Sequence, residues 1–241
     1  AAGPAGIVAV GTEQIHYWDG ERFTEASRPP DKTLHPEPGG GCSAPGWQSE
    51  GIMAELGPVA ATDDGFVAVA ARSESGWNRT PVCEPLVWLS SGGDVWTPSS
   101  DESPFGERAF VHDIAVVGDR ILAVGGVSID EAAVWTSDNG IDWWRADLEA
   151  AQLWHVAGSD RGWIAVGNHE SNLSAQLGGD MWFSADGLVW DGPYERPPGW
   201  ADATGIVGVA MLDNLIVGSG EQLNRMPAGS AGLIVGKFMD E

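Results

Sequence analysis

The sequence predicts an all-β protein folded as a β-propeller, with five blades of up to four antiparallel strands each. Trp88, Trp135 and Trp182 recur at an equal spacing (135 − 88 = 182 − 135 = 47), and a Ser, a Gly and a second Trp keep the same offset from each of them. A fixed period of this size indicates a repeat architecture. Short apolar runs separated by turns, several in each period, are typical of the antiparallel strands of a propeller blade.

The clearest element of each repeat is a tryptophan hairpin, at residues 87–96, 134–143 and 181–190. Its first half is an apolar, β-favouring strand that ends in Ser. A Gly then supplies the positive φ of the turn, and the second Trp begins the returning strand and can pack over the hairpin. The predicted turn glycines are Gly93, Gly140 and Gly187. A weaker copy, with Phe in place of the second Trp, occupies residues 18–23.

The tryptophan hairpin resembles the Asp-box, the bacterial neuraminidase repeat Ser/Thr-x-Asp-x-Gly-x-x-Trp of sialidase-like and related β-propellers. Residues 136–143 match that pattern in full, whereas residues 184–190 are one residue shorter. Residues 90–96 are also shorter, with Gly92 where the Asp is expected. The resemblance implies a structural turn away from the active face. The residues to which it assigns this structural role are Ser137, Asp138, Gly140, Trp143, Ser184, Asp186, Gly187 and Trp190.

Two further strands are predicted ahead of most hairpins. Continuous apolar runs at 7–11, 66–70, 121–125, 163–167 and 215–218 indicate buried B strands, and four of them follow A strands at 57–61, 110–117, 153–158 and 206–212. The first repeat lacks an obvious A strand and the last an obvious D strand, so ring closure would pair strands from the two ends. A four-bladed ring with an extra strand set and a fragment of a larger ring are the alternatives.

The domain prediction is one propeller over 1–241, with blade units near 1–26, 55–97, 108–145, 151–191 and 203–238 and an inserted loop at 26–54. By analogy with the fold, the short A–B and C–D turns lie on one face. The long B–C connections (71–85, 167–180 and 219–231) and D–A connections (26–54, 97–108 and 191–202) lie on the other. Long loops gathered on one face are where binding usually occurs.

The charge composition limits the classes of molecule that the protein can bind. Twelve basic and 35 acidic residues give a net charge of −23, which repels nucleic acid and anionic membranes. We expect no cofactor, although such a surface could also favour calcium or cationic ligands. No apolar run is long enough to insert in a membrane, because 206–218 is broken by Asp213 and Asn214. The chain begins at Ala1 rather than Met, which favours a processed or trimmed N-terminus.

Cys42 and Cys83 are expected on the same long-loop face of the second blade, in the D–A connection that enters it and in its B–C loop. That placement favours a disulfide between them, the more so if the protein is exported. A secreted or cell-surface location is expected. Two separate free thiols are the alternative. Two isolated cysteines do not make a zinc site, so no metal is predicted there.

Polar residues on the innermost strands are candidates to line the channel: His112 and Asp113 in the third blade and His155 in the fourth. They could bind a metal, position a water or hold a polar ligand. The alternative is that they only meet channel water. On the long-loop face, aromatic rings beside amides suit sugar stacking and hydroxyl recognition, or else pin the loops. These ligand-binding candidates are Trp47, Trp77, Asn168, His169, Tyr194 and Trp200.

The function predicted first is a non-enzymatic extracellular module whose long-loop face recognises a glycan, a peptide or a protein. A glycoside hydrolase-type enzyme with paired carboxylates is one alternative, and a structural or assembly subunit is the other. Sialidase activity is not expected, because by family resemblance it needs an arginine cluster and a tyrosine nucleophile. The arginines here are scattered, and Tyr17 and Tyr194 are the two tyrosines. No catalytic residue is assigned.

Overall fold

The computed structural model describes residues 1–10, 15–27, 56–74, 82–100, 102–106, 109–128, 130–168, 179–194, 205–213, 215–221 and 231–237. Within them the regular structure is all β, in five antiparallel sheets that follow one another along the chain. This is the propeller-like repeat of small sheets that the sequence predicts. Over the same ranges there is no helix long and apolar enough to cross a membrane.

Each sheet takes its strands in chain order. The first contains β1 (Ala2–Gly3), β2 (Gly6–Val10), β3 (Ile15–Trp18) and β4 (Phe23–Glu25). The second contains β5 (Leu56–Thr62), β6 (Gly65–Glu74), β7 (Val82–Ser90) and β8 (Thr97–Pro98). The third contains β9 (Phe110–Val117), β10 (Arg120–Ser128), β11 (Glu131–Ser137) and β12 (Trp144–Ala146).

The fourth sheet contains β13 (Gln152–Ser159), β14 (Gly162–Asn168), β15 (Asp180–Ser184) and β16 (Asp191–Tyr194). The fifth, three-stranded over the described residues, contains β17 (Gly205–Leu212), β18 (Leu215–Glu221) and β19 (Ala231–Lys237). Every predicted A and B strand is therefore present. The first sheet also has a short A strand, β1, which the sequence pattern did not reveal because it is only two residues long.

Contacts divide the chain into two compact units. The first comprises Ala1–Ile121 and Ser137–Trp144, and the second comprises Leu122–Thr136 and Arg145–Glu241. The first unit has a core around Val8, Phe66, Trp88 and Trp96. The core of the second includes the following side chains of the fourth and fifth sheets: Ala157, Ile164, Val166, Met181, Ile206 and Ile216. Burying these apolar strand faces is the main driving force for folding of each unit.

The hairpin turn at 184–190 shows how the repeated residues act. Ser184 Oγ accepts a hydrogen bond from Gly187 N (2.8 Å), and Asp186 Oδ1 accepts from Leu188 N (2.9 Å) and Val189 N (3.1 Å). The Trp190 Nε1–H donates to Gly187 O at 3.2 Å. The backbone amides hold the pKa of Asp186 below its ordinary value, because they stabilise the carboxylate form.

The turn at 137–143 departs from the register that the Asp-box match predicted. Ser137 Oγ accepts from Gly140 N (2.9 Å), and Asn139 Oδ1 accepts from Ile141 N and Asp142 N (2.8 Å each). Asn139 therefore has the role of Asp186, one residue after the predicted Asp138. The side chain of Asp138 is exposed and accepts a hydrogen bond from Arg120 Nε at 3.1 Å. The shorter spacing Ser-x-Asp/Asn-Gly-x-x-Trp is the one that both turns share.

The turn glycines also let neighbouring sheets approach one another. Gly93, with φ of 82°, has room for no Cβ, because the atom would lie 2.6 Å from Val8 Cγ2 of the first sheet. A Cβ on Gly187 would lie 2.9 Å from Leu122 Cδ1, and one on Gly140 would lie 3.1 Å from Leu89 Cδ2. Each tryptophan hairpin thus packs its turn against the preceding sheet, which is why Gly is needed there for space as well as for φ.

Backbone pairing adds a second link between successive sheets within each unit. Ser27, just after β4, forms an isolated parallel bridge with Val95, and Asp147, just after β12, forms the same bridge with Val189. In the first case Ser27 N donates to Asp94 O (2.7 Å) and Trp96 N donates to Ser27 O (3.2 Å). In both cases a residue one or two positions after the D strand is therefore held beside the next tryptophan hairpin.

The cysteine prediction is corrected in one respect. Cys83 belongs to strand β7 rather than to a B–C loop, because β6 extends to Glu74 and β7 begins at Val82. The predicted partner, Cys42, lies outside the described residues, so the disulfide remains a prediction. The inserted loop at 26–54 lies outside them as well, apart from its first two residues.

Candidate functional site

The second unit contains an open cavity of about 840 Å³, here called the carboxylate cavity. It forms where the segment around the start of β11 and the connection from β12 to β13 meet the outer strands of the fourth sheet. A cavity of this volume falls within the range of small-molecule sites. Its lining residues are Asp130, Glu131, Ala132, Arg145, Asp147, Leu148, Glu149, Ala150, Ala151, Trp182, Trp190, Gly192 and Pro193.

Four carboxylates line this cavity, and they come from two chain segments. Asp130 and Glu131 precede and begin β11, whereas Asp147 and Glu149 lie between β12 and β13. Carboxylates from separate segments can approach a bound molecule from different sides, which is the arrangement that acid–base chemistry on one bond requires. The described residues contain no group of three His, Cys, Asp or Glu that could hold a metal ion.

Arg145 is the one basic residue in the lining, and its guanidinium is already engaged. Its Nη2 donates to Glu131 Oε1 at 2.7 Å and to Ala132 O at 3.2 Å. Both side chains of the ion pair are about half exposed, so the pair contributes at most about 1 kcal/mol to stability. Its main effect is geometric, because it ties β12 to the start of β11 at the edge of the cavity.

The fourth sheet supplies the aromatic wall. Trp190 is half-buried and its Nε1–H is used by Gly187 O, so the ring offers the cavity its hydrocarbon and π surface. Trp182 is only 2% exposed and backs this wall. Gly192 must lack a side chain, because a Cβ there would lie 2.8 Å from both Met181 O and Trp182 Cδ1.

Backbone hydrogen bonds hold the two acidic segments in place. Ala132 N donates to Ala150 O at 3.0 Å, and Ala151 N donates to Asn168 O at 2.9 Å. The bridge between Asp147 and Val189 fixes the start of the second segment against the tryptophan hairpin of the fourth sheet. The carboxylates are therefore carried on a connection that is anchored at both of its ends.

Two of the six predicted ligand-binding residues lie in the described part of the chain. Asn168, the last residue of β14, is only 7% exposed, so its amide is not presented on an open face as predicted. Tyr194, the last residue of β16, is 44% exposed and packs edge-on against Phe183 at 5.5 Å. Neither lines the carboxylate cavity. The other four, Trp47, Trp77, His169 and Trp200, lie outside the described residues.

The predicted channel residues lie on the first strands of their sheets, and whether those strands line a channel stays a prediction. His112 and Asp113 are on β9 in the first unit, and His155 is on β13 in the second. All three are partly buried. The ring of His112 packs on Phe110 at 4.9 Å, and Asp113 Oδ1 accepts from Ile114 N at 2.9 Å. These contacts give His112 and Asp113 partners within the protein, so a ligand is not needed to explain their place on the strand.

The first unit has a second cavity, of about 500 Å³, on the side of the A–B turns and tryptophan hairpins. Asp63, Asp64, Asp119 and Asp138 line it, and Asp138 is paired with Arg120. Its apolar lining includes Phe66, Leu89 and Ile121, with no Trp among its lining residues. It is smaller than the carboxylate cavity and is built from tight turns.

Sequence reasoning missed the acids of the carboxylate cavity because it placed binding on the long connections. No residue of the long B–C connections is in the cavity lining. The acids that do line it are at 130–131 and 147–149, in or beside the connections that precede β11 and β13. No local signal in the sequence separates these acids from those of a solvated turn.

Comparison with known proteins finds similarity at the level of structure. No protein-family model and no curated protein matches the sequence. Among solved structures, an acylaminoacyl peptidase from Pyrococcus horikoshii superposes with a TM-score of 0.50 over 93% of this chain and 34% of its own, at 9% identity. A structure from the GH130 family of mannoside phosphorylases gives a TM-score of 0.45 over 70% of this chain and 61% of its own, at 14% identity.

A GH43 endo-arabinanase from Bacillus licheniformis is also similar, with a TM-score of 0.36 over 75% of this chain and 70% of its own, at 9% identity. At such identities the likeness is one of fold. The first prediction, a non-enzymatic binding module, is nevertheless contradicted, because glycoside hydrolases recur among these structural neighbours.

Proposed function

We propose that this chain is a glycoside hydrolase-type enzyme and that the carboxylate cavity is its active site. The observation that carries the proposal is the cavity itself. An open space of about 840 Å³ brings together four carboxylates from two anchored segments and the indole of Trp190. Glycosidic bond hydrolysis needs two carboxyl groups on either side of the bond, and an aromatic surface suits the apolar face of a sugar ring.

The acid–base pair is drawn from three of the four acids. The carboxylate of Glu131 is held by Arg145 at 2.7 Å, which gives it a structural role at the cavity edge. Asp130 on one segment, and Asp147 or Glu149 on the other, are then the residues that would act on the bond. One would protonate the leaving oxygen, while the other would attack the sugar carbon or activate a water.

The experiment is a hydrolysis screen of the full chain against aryl glycosides and polysaccharides, followed by three isosteric variants: Asp130→Asn, Asp147→Asn and Glu149→Gln. On the best substrate, we expect one variant from each segment to lower kcat by at least about a hundredfold, because each removes one half of the acid–base pair.

A matched control is Asp160→Asn, which changes an exposed acid in the turn between β13 and β14, outside the cavity. Its activity should equal that of the wild type. The proposal fails if no glycoside in the screen is cleaved, or if all three cavity variants keep wild-type rates. Circular dichroism of each variant verifies that a lost rate does not reflect lost folding.

We also propose that the five sheets are the blades of a single closed propeller with Asp-box-like hairpins. The glycine contacts and the parallel bridges that recur between successive sheets within each unit support this proposal. Small-angle X-ray scattering of the full chain would test it, since a closed ring has one compact maximum dimension. A scattering curve that requires two separated bodies would contradict it.

A further inference from the structure

We propose that the substrate of the carboxylate cavity is a glycan that carries free, protonated amino groups. This inference rests on the proposed function and names the substrate class of that same site. It follows from how the charges, the one guanidinium and the indole are arranged around the cavity.

The charge balance of the lining excludes anionic sugars as substrates of the cavity. Four carboxylates face one guanidinium, and that guanidinium already donates to Glu131 Oε1 and Ala132 O. A uronic or sulfated sugar would therefore meet three further carboxylates with no unengaged cation to bind its acid group. The net charge of −23 on the chain adds a repulsive field of the same sign.

The carboxylates of the lining come from two chain segments, Asp130 and Glu131 from one and Asp147 and Glu149 from the other. Carboxylates on two separate segments suit more than one positive charge, such as the ammonium groups on successive units of an amino sugar chain. The opposed charges also raise the rate of encounter and the affinity at low salt.

The indole of Trp190 supports the same class of substrate. Trp190 lines the cavity, and its Nε1–H is already used within the hairpin. An ammonium over the face of a Trp ring is attracted by the ring quadrupole, and the ring also packs on the pyranose carbons. A neutral sugar would use only the second of these contacts.

The test is binding of matched tetrasaccharides to the full chain by isothermal titration calorimetry. Glucosamine tetramer carries four ammonium groups, N-acetylglucosamine tetramer has the same backbone without charge, and a galacturonic acid tetramer is anionic. At low salt we expect glucosamine tetramer to bind at least about tenfold more tightly than the acetylated tetramer, with no binding of the anionic one.

Raising the salt to about 0.5 M should remove most of this preference, because charge pairs at an open site are screened. The double variant Asp147→Asn, Glu149→Gln should weaken glucosamine tetramer about tenfold and leave the acetylated tetramer unchanged. The control Asp160→Asn, which keeps the cavity intact, should bind as the wild type does. That control separates the cavity from the general acidity of the surface.

The inference is overturned if the two glucosamine-based tetramers bind equally, or if Asp160→Asn weakens binding as much as the double variant does. Hydrolysis is measured in the same samples, which separates the two proposals. Binding of glucosamine tetramer at the cavity without cleavage of any glycan would keep the ligand class and refute the hydrolase. Cleavage of a neutral glycan without preferential binding of the amine would keep the hydrolase and refute the ligand class.

Discussion

The tryptophan hairpins of the second and fourth sheets share the Ser, Gly and Trp of the turn but differ in the residue before the Gly, Gly92 in one and Asp186 in the other. In both, the Ser Oγ accepts from the Gly amide at 2.8 Å and the Trp Nε1–H donates to the Gly carbonyl, at 2.9 Å and 3.2 Å. The fourth-sheet hairpin adds Asp186, which accepts from two further amides, where the second-sheet hairpin has Gly92. The Ser, Gly and Trp thus suffice to build the turn, and the acid adds amide capping and pH sensitivity.

The largest expected effect comes from the shared glycine. Gly93→Ala should lower the free energy of unfolding by about 2–4 kcal/mol, because φ of 82° is strained for Ala and the Cβ would lie 2.6 Å from Val8 Cγ2. Gly20→Ala is the matched control, with φ of 101° and no atom within 4 Å of the added Cβ. It should cost about 1 kcal/mol. Urea unfolding measures both, and equal losses would mean that sheet contact at Gly93 is unimportant.

The next largest effect on stability is expected from the second tryptophan of the hairpin. Trp96→Phe should cost about 2 kcal/mol, because it shrinks a side chain with 0% exposure and leaves Gly93 O without its donor. Trp190→Phe should cost about half as much, since Trp190 is half-buried and its hydrogen bond is longer. Thermal unfolding of the two variants side by side tests this order. A greater loss for Trp190→Phe would show that the fourth-sheet hairpin is the more tightly packed one.

The acid of the fourth-sheet hairpin makes part of the stability pH-dependent. The pKa of Asp186 is lowered in the folded state by the amides of Leu188 and Val189, from an ordinary value of 3.8. Its contribution is therefore complete above the unfolded pKa and is lost as pH falls through the folded pKa. Asp186→Asn should be less stable than the wild type at pH about 6 and should approach it as the pH falls below the ordinary value of 3.8 and through the lower folded-state pKa. A stability difference that stays constant over this range would rule out a carboxylate contribution.

The smallest expected effect is a gain. Gly92→Asn would supply the second-sheet hairpin with an acceptor for the amides of Asp94 and Val95, as Asn139 does in the third sheet. The added Cβ would lie 2.9 Å from Asp94 Oδ1, an exposed side-chain atom that can rotate away. The free energy of unfolding should rise by about 0.5–1 kcal/mol. Gly92→Ala, which lacks the acceptor, is the control, and an equal gain from it would assign the effect to chain entropy alone.

Much of the fold was predictable because its signals are local. Apolar runs such as 163–167 and 110–117 are strands in the structure, and the hairpin glycines have the positive φ that the turn needs. The exchange of Asp138 for Asn139 was missed because both positions suit a turn. Their roles differ only in the partners of their side chains: Asn139 accepts from a turn amide, and Asp138 accepts from Arg120.

Function was less predictable, and the first prediction was wrong. Exposed aromatic residues on long loops favoured a binding module, but Asn168 is buried and the candidate site lies on short connections. A short connection that carries two acids has no local signal that distinguishes it from a solvated turn. Whether the acids of such a connection belong to a functional site depends on which sheet lies beside the connection.

By itself the sequence determined the repeat, the strand order and the positions of the turns, because these depend on contacts between residues close along the chain. Only the tertiary structure decided that Asp147 lies beside Val189, and that Asp130, Glu149 and Trp190 share one cavity. Those residues are far apart in sequence. They meet because the connection after β12 pairs with the hairpin of the fourth sheet, at Asp147 and Val189.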